Sequence, residues 1–259
     1  MGDAMIENPV RQKLLAGGTV FGTMAFDFFT PGLCPTLAAA GAEFVIFCME
    51  HGGVGIDTIK QQVRYAKASG IVPLVRVARC ERHLVSTVLD AGVLGVMVPF
   101  IESAPQAREF VSWCRYRPEG VRGLAFGFAH DDYTEGAVAP KMAAANAAIL
   151  TIALIESAKG AENAAEIFAT PGIDLGWIGH YDLSNSLGLT EQFEHPTYQA
   201  AVAGIVTAAQ AAGTPLGWLA GSAAAGKDGL ARGFRAIAVD NDVGLLRAAL
   251  KQGIAALKA

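Results

Sequence analysis

Charged residues are scarce in this sequence: they make up 17% of its 259 residues, whereas hydrophobic residues make up 52%. That balance is enough to fill a sizeable core and argues against a disordered chain. The formal net charge is −4, and no basic stripe stands out along the chain. A nucleic acid is therefore not expected as a partner.

The sequence also lacks an export signal, a membrane span and a disulfide pattern. Its first residues, MGDAMIENPVRQ, contain no apolar run. The longest apolar run, around Ala147–Ile155, is far shorter than the roughly 20 residues that cross a bilayer. The four cysteines form no C-x-x-C pair. We expect a cytoplasmic protein with free thiols and no contact with a membrane.

What the chain does contain is a series of short apolar runs, each followed by an amphipathic stretch. Each run is continuous rather than alternating, as is typical of parallel strands buried on both faces. The strand candidates are Thr19–Met24, Phe44–Met49, Val72–Val77, Leu94–Pro99, Ile149–Glu156, Asp174–Gly179, Thr214–Leu219 and Arg235–Val239. Eight β/α units in a chain of this length predict one α/β domain over residues 1–259, folded as a (β/α)8 TIM barrel.

One interval breaks this rhythm. About 50 residues separate Pro99 from Ile149, and they include Arg117–Gly123 and Phe126–Tyr133. A long insertion that follows a strand is expected on the C-terminal face of a barrel, where active sites lie. We interpret it as a loop that covers the substrate; the alternative is a packing loop at a subunit contact.

Two carboxylates follow fully apolar strands. Glu156 comes after Thr151–Ile155, and Asp182 comes shortly after Leu175–Ile178. On neighbouring strands they would repel each other unless a cation lay between them. Hard divalent cations prefer oxygen ligands, and Mg²⁺ usually takes one or two carboxylates. The pair predicts a metal site; the alternative is that both residues cap helices.

Polar residues at other strand ends complete the candidate site. His51 follows the second strand and has the chemistry of a general base, whereas the alternative is a structural histidine. Arg76 stands alone in the apolar run Val72–Val77, where a guanidinium needs an anion such as a keto acid. The turn at Gly179, followed by His180 and Tyr181, offers free backbone N–H groups that suit a carboxylate.

Two further classes of chemistry have little support. Schiff-base aldolases need a desolvated lysine on a strand, and none of the eight lysines falls within a strand candidate. Neither G-x-x-x-x-G-K-[ST] nor G-x-G-x-x-G occurs, so no nucleotide fingerprint is present. We expect no organic cofactor and prefer metal chemistry.

Several short motifs now combine into a recognisable pattern. They are Glu50-His51, Val75-Arg76, Leu89-Asp90-Ala91-Gly92, Val98-Pro99, Arg117-Pro118-Glu119-Gly120-Val121-Arg122-Gly123, Ile155-Glu156-Ser157, and Ile178-Gly179 followed by Asp182-Leu183-Ser184. From Val20 to Leu246 the chain resembles the HpcH/HpaI aldolase family, the metal-dependent hydroxy-ketoacid aldolases. Together these motifs are specific for the family, although no single motif would identify it.

The resemblance implies a set of roles. Glu156 and Asp182 would bind Mg²⁺, Mn²⁺ or Co²⁺, and Arg76 would hold the keto oxygen of pyruvate. His51 would move the aldol hydroxyl proton, and Asp90 would pair with that histidine from a neighbouring subunit. The resemblance also implies a homohexamer, a trimer of dimers that exchange their last helix.

The expected reaction is the reversible cleavage of a 4-hydroxy-2-oxo acid, from aromatic or sugar acid catabolism, into pyruvate or a similar 2-keto acid and an aldehyde, through an enolate. One alternative is a lyase for acyl-CoA thioesters of the malyl or citramalyl type. Such an enzyme needs a basic surface for the CoA phosphates, which Lys13, Arg117 and Arg122 do not obviously form. Another alternative is a keto-acid binding protein without catalysis.

Three departures from the family pattern lie near the expected site. Cys48 stands where an aspartate is frequent, three residues before the histidine. Leu154 replaces a common glutamine, and His180-Tyr181 follows the glycine that usually precedes proline. The departures bear on the acceptor aldehyde and on the direction and rate of the reaction. Cys48 and Leu154 are the best argument for a binding protein.

Overall fold

The computed structural model describes residues 7–259, so the start of the N-terminal segment used in the export argument lies outside the described residues. Within this described range, eight parallel strands form a closed barrel in chain order, and β8 pairs with β1. The strands are β1 (Val20–Ala25), β2 (Phe44–Cys48), β3 (Val72–Arg76), β4 (Gly95–Val98), β5 (Leu150–Ile155), β6 (Leu175–Ile178), β7 (Leu216–Ala220) and β8 (Ala236–Asn241). The predicted (β/α)8 barrel is confirmed.

The core has two layers because the strand residues on each face of the sheet are mostly buried. Side chains such as Phe44, Ile46 and Leu74 fill the barrel interior. The alternate positions, such as Val45, Phe47 and Val75, pack against the surrounding helices. Burial on both faces explains why the strands appear in the sequence as continuous apolar runs.

In the part of the chain that the structure describes, twelve helices surround and close the barrel. Their bounds are α1 (Pro9–Leu15), α2 (Leu33–Ala39), α3 (Ile56–Ala68), α4 (Arg82–Asp90), α5 (Ala104–Cys114), α6 (Val138–Ala148), α7 (Ala158–Glu162), α8 (Ala164–Phe168), α9 (His180–Ser186), α10 (Pro196–Ala212), α11 (Ala223–Ala231) and α12 (Asp242–Lys258). Within residues 7–259, every helix falls short of the length and apolar character that a membrane crossing requires.

The long interval between β4 and β5 does not cover the barrel opening. It consists of α5, a loop with one 3₁₀ turn at Ala129–Asp131, and α6. Asp132 accepts a hydrogen bond from Lys67 at 2.7 Å, and the carbonyl of Ala129 lies against Gly92. These contacts hold the loop at the C-terminal ends of α3 and α4, where the chain turns back towards the start of the next strand. The prediction of a substrate-covering loop is therefore wrong for this chain, whereas the subunit-contact alternative stays a prediction.

Candidate active site

A cavity of about 260 Å³ opens at the C-terminal ends of the strands. The residues that line it come from all eight strands or from the segments that follow them. They are Met24, Phe26, His51, Arg76, Met97, Leu154, Glu156, Trp177, Ile178, Gly179, His180, Tyr181, Asp182, Leu219 and Asn241. All the site residues predicted from the sequence except Asp90 line this cavity.

Glu156 and Asp182 are brought together by the pairing of β5 with β6. Ile155 pairs with Ile178, so the residues that follow the two strands lie side by side. Neither carboxylate caps a helix: Ser157 caps α7 and Gly179 caps α9, while Asp182 lies in the first turn of α9. The capping alternative is therefore wrong.

The backbone around Glu156 is shaped to receive its carboxylate. A Cβ atom at residue 179 would lie 2.5 Å from Glu156 Oε2, so this approach requires the glycine found there. On the other side, the backbone N–H of Phe100 donates a hydrogen bond of 3.0 Å to Glu156 Oε1. Phe100 has a φ of 51°, a strained conformation for a large side chain, of the kind that clusters at functional sites.

The electrostatics of the site favour a bound cation. The pKa of Glu156 is raised from 4.5 to about 8, first by burial and then by the charges of Glu50 and Asp182, against the opposing charge of Arg76. Three acidic groups thus share one nearby guanidinium. Hard oxygen donors in this arrangement fit Mg²⁺ or Mn²⁺.

The donor set also fits a cation that stays open to substrate. Among residues 7–259 no three His, Cys, Asp or Glu side chains converge as a complete metal-binding group. A metal held by Glu156 and Asp182 would keep positions for water and substrate, as Mg²⁺ sites usually do.

The raised pKa of Glu156 predicts how the metal-free protein responds to pH. Between about pH 5 and 8 the native carboxyl keeps a proton that the unfolded chain releases, so stability falls as the pH rises through this window. Glu156→Gln removes the effect. In EDTA, we expect the melting temperature of the variant minus that of the wild type to increase from pH 5.5 to pH 8.5. A constant difference over that range would contradict the prediction.

Arg76 is the last residue of β3 and is 8% exposed. Its Nε lies 3.2 Å from Glu50 Oε2, and its guanidinium lies 5.5 Å from the ring centre of Phe26. The carboxylate of Glu50 balances the charge of the arginine, while burial raises the pKa of Glu50. The guanidinium is thus fixed within the cavity wall, where it can donate hydrogen bonds to an anion.

His51 follows β2 at the mouth of the cavity. Its side chain is 55% exposed, and its Nε2 lies 3.9 Å from Glu50 Oε2. Its ring is nearly parallel to that of Phe26, with ring centres 6.5 Å apart. The imidazole is therefore open to solvent and to an incoming substrate, and its ring is oriented by an aromatic neighbour.

Gly179, His180 and Tyr181 form the side of the cavity next to Asp182. The His180 ring packs against Tyr181, Phe193 and Trp218, with ring centres 4.7 to 5.6 Å apart. Burial lowers the pKa of His180, which favours the neutral ring, although the charge of Asp182 opposes this. Tyr181 is exposed at the rim. These residues can contact a substrate, and that role stays a prediction.

Asp90 is the one predicted site residue that does not line the cavity of its own chain. It ends α4, and its carboxylate accepts a hydrogen bond of 2.9 Å from Arg122 Nη2. Half of its side chain is exposed, so a second subunit can reach it. Its pairing with the His51 of a neighbouring subunit stays a prediction.

Glu50 is the functional candidate that the sequence analysis passed over. It was part of the Glu50-His51 motif, yet only the histidine was given a role. The structure places its carboxylate between the arginine and the histidine. Its position beside a strand-end histidine, opposite an arginine on the next strand, is the signal that would have identified it.

Comparison with known proteins agrees with this geometry. Residues 24–249 match the HpcH/HpaI aldolase/citrate lyase family. A hydroxypyruvate/pyruvate aldolase of Chromohalobacter salexigens is 33% identical, covering 97% of this chain and 98% of that protein. A 5-keto-4-deoxy-D-glucarate aldolase of Shigella dysenteriae serotype 1 is 34% identical, covering 83% of this chain and 84% of that protein.

A solved structure agrees as well. A HpcH/HpaI aldolase/citrate lyase family protein from Burkholderia cenocepacia superposes with a TM-score of 0.91 at 30% identity, covering 97% of this chain and all of that one. Members of this family are divalent-metal-dependent lyases. The chain belongs to the HpcH/HpaI aldolase/citrate lyase family and is an enzyme, a class II aldolase.

Proposed function

We propose that this enzyme reversibly cleaves a 4-hydroxy-2-oxo acid into pyruvate, or a similar 2-keto acid, and an aldehyde. The observation that carries the proposal is the meeting of Glu156, Asp182 and Arg76 in one cavity at the strand ends. This arrangement offers a site for a cation and a site for the negative charge that develops on a 2-keto acid when it becomes an enolate.

A divalent cation bound by Glu156 and Asp182 would act as a Lewis acid toward the 2-keto oxygen. Arg76 donates hydrogen bonds to the same oxygen as it gains charge, and Glu50 keeps the guanidinium in place. His51 takes the proton of the 4-hydroxyl, after which the C3–C4 bond breaks and the aldehyde leaves. Protonation of C3 then gives the keto acid, and the reverse sequence forms the bond.

The acyl-CoA alternative has less support in the structure. Lys13 forms an ion pair with Glu43 at 2.6 Å. The Arg122 side chain is only 2% exposed and is paired with Asp90. Of the three basic residues considered for the CoA phosphates, Arg117 alone is exposed and without an ion pair. We therefore favour small acids and aldehydes as substrates.

The names of the relatives suggest the donor but not the aldehyde. One relative is named for hydroxypyruvate and pyruvate, another for a keto-deoxy sugar acid. We propose pyruvate or hydroxypyruvate as the donor. The test is a screen of apolar, aromatic and hydroxylated aldehydes with each donor and with Mg²⁺, Mn²⁺ or Co²⁺, in which product formation identifies the acceptor. No product with any pair would contradict the proposal.

Arg76→Lys keeps the positive charge but loses the planar fork that donates two hydrogen bonds. We expect cleavage and the exchange of pyruvate methyl protons to fall together by about 10²-fold, because both pass through the enolate. Arg79→Lys is the matched control, since Arg79 is exposed and outside the cavity. Near-normal exchange in Arg76→Lys would show that Arg76 has a structural role only.

We also propose that the enzyme is a homo-oligomer, a hexamer built from dimers that exchange α12. Only Asp242 and Gly244 are buried on this helix of 17 residues. Leu246, Leu250 and Ile254 are exposed and line an open apolar groove of about 630 Å³ with Phe28. Exposed apolar surface of this kind marks an interface. Sedimentation should give a hexamer, and Leu250→Asp should dissociate it; a monomeric wild type would contradict the proposal.

A further inference from the structure

Cys48 is the last residue of β2, and it pairs in register with Arg76 of β3. Its side chain is fully buried. Three N–H groups donate to its sulfur: Arg76 Nη2 at 3.0 Å, Arg76 Nε at 3.3 Å and the backbone N–H of His51 at 3.3 Å. The sulfur thus acts as a shared acceptor beneath two residues of the candidate site.

The other buried cysteines have different surroundings. The thiol of Cys34 donates weakly to carbonyl oxygens of Gln62 and accepts no hydrogen bond. Burial raises the pKa of Cys114 to about 12, and its thiol has no hydrogen bond within the described residues. Among the described cysteines, Cys48 alone receives donors from a charged side chain. Its environment is that of a hydrogen-bond acceptor rather than of a small apolar filler.

Two features show why an acceptor is needed there. The Arg76 side chain is long and loses considerable rotamer freedom when it is held in a single position. Cys48, at the end of β2, and Glu50, two residues later, both contact Nε, and Cys48 also accepts a hydrogen bond from Nη2. These two partners together fix the direction of the guanidinium. The bond from His51 N to the sulfur also fixes the turn that leads from β2 to His51.

We propose that Cys48 is a positioning residue whose sulfur, as acceptor, orients the Arg76 guanidinium and the turn that carries His51 for the enolate-forming step. The inference rests on the proposed function, because it assumes that Arg76 stabilises the enolate. It assigns to this cysteine the acceptor role that the more frequent aspartate of the resemblance could also supply.

The test compares Cys48→Ala, which removes the acceptor, with Cys48→Ser and Cys48→Asp, which retain one. We expect kcat for pyruvate methyl proton exchange to fall about tenfold to a hundredfold in Cys48→Ala, the usual worth of a hydrogen bond to a charged group. KM for pyruvate should change little. Cys48→Asp should recover most of the loss. Cys114→Ala, which removes a buried thiol outside the cavity, is the matched control and should keep the wild-type kcat.

A double-mutant cycle distinguishes positioning from general stability. If Cys48 acts through Arg76, Cys48→Ala should cost little more in an Arg76→Lys background, because the geometry that it maintains is already lost. Additive losses, or a kcat of Cys48→Ala equal to that of Cys114→Ala, would overturn the inference. If Arg76→Lys alone leaves exchange intact, the proposed role of Arg76 fails, and that outcome is separate from any result for Cys48. If the alanine variant does not fold, Cys48→Val, which also removes the acceptor, replaces it in the cycle, and additive losses would overturn the inference there as well.

Discussion

Removal of divalent metal with EDTA is expected to abolish aldol cleavage, and added Mn²⁺ or Mg²⁺ to restore it. The reason lies in the charges around Glu156, whose carboxylate is buried beside Glu50 and Asp182 with Arg76 as the nearby cation. Without a metal, the negative charge of the enolate would develop beside three acidic groups. Full activity in excess chelator would contradict the metal mechanism.

A variant separates metal binding from the fold. Glu156→Gln should weaken Mn²⁺ binding, measured by calorimetric titration, while the protein remains folded, because the amide resembles the protonated carboxyl that the metal-free protein holds below about pH 8. Glu162→Gln is the matched control: Glu162 is exposed on α7, the helix that follows Glu156. Unchanged Mn²⁺ affinity in Glu156→Gln would remove that residue from the ligand set.

His51→Ala is expected to slow cleavage by about 10² to 10⁴, the usual worth of a positioned acid–base group. The 4-hydroxyl must lose its proton for the C3–C4 bond to break, whereas exchange of the pyruvate methyl protons does not involve that hydroxyl. Exchange should therefore fall less than cleavage. The exposed position of His51 at the cavity mouth agrees with a group that meets the aldehyde end of the substrate.

The division between the two rates decides the role of His51. Equal losses in cleavage and exchange, with unchanged affinity for pyruvate, would show that the histidine serves enolate formation instead. No loss in either rate would leave it a structural role. His83→Ala is the matched control, because His83 is exposed on α4 and outside the cavity.

The barrel was predictable because most strand residues are buried on both faces of the sheet, so the strands appear as continuous apolar runs. The helix bounds were less accessible from the sequence. The amphipathic pattern over Ala161–Ala169 predicts one helix, whereas the structure has two, α7 and α8, that meet at Asn163. The Ser157 side chain starts the first of them three residues earlier than its apolar pattern suggests.

The site was predictable where a polar residue directly follows an apolar strand, as Glu156 does. Contacts that depend on a neighbouring strand were less predictable from the sequence. The approach of Cys48 and Glu50 to Arg76 follows from the register of β2 with β3, which the sequence alone does not give. The prediction that the long loop covers the substrate was wrong for a similar reason. The position of the loop is set by contacts such as that of Asp132 with Lys67.

The uptake of deuterium from D₂O into the methyl group of pyruvate, followed by mass spectrometry, tests most directly whether this chain forms an enolate. We predict uptake well above the uncatalysed rate with enzyme and Mn²⁺, loss of that uptake with EDTA, and a large decrease with Arg76→Lys. If the Mn²⁺-loaded protein binds pyruvate but leaves its methyl protons unexchanged, the chain is a keto-acid binding protein and the proposed catalysis is wrong.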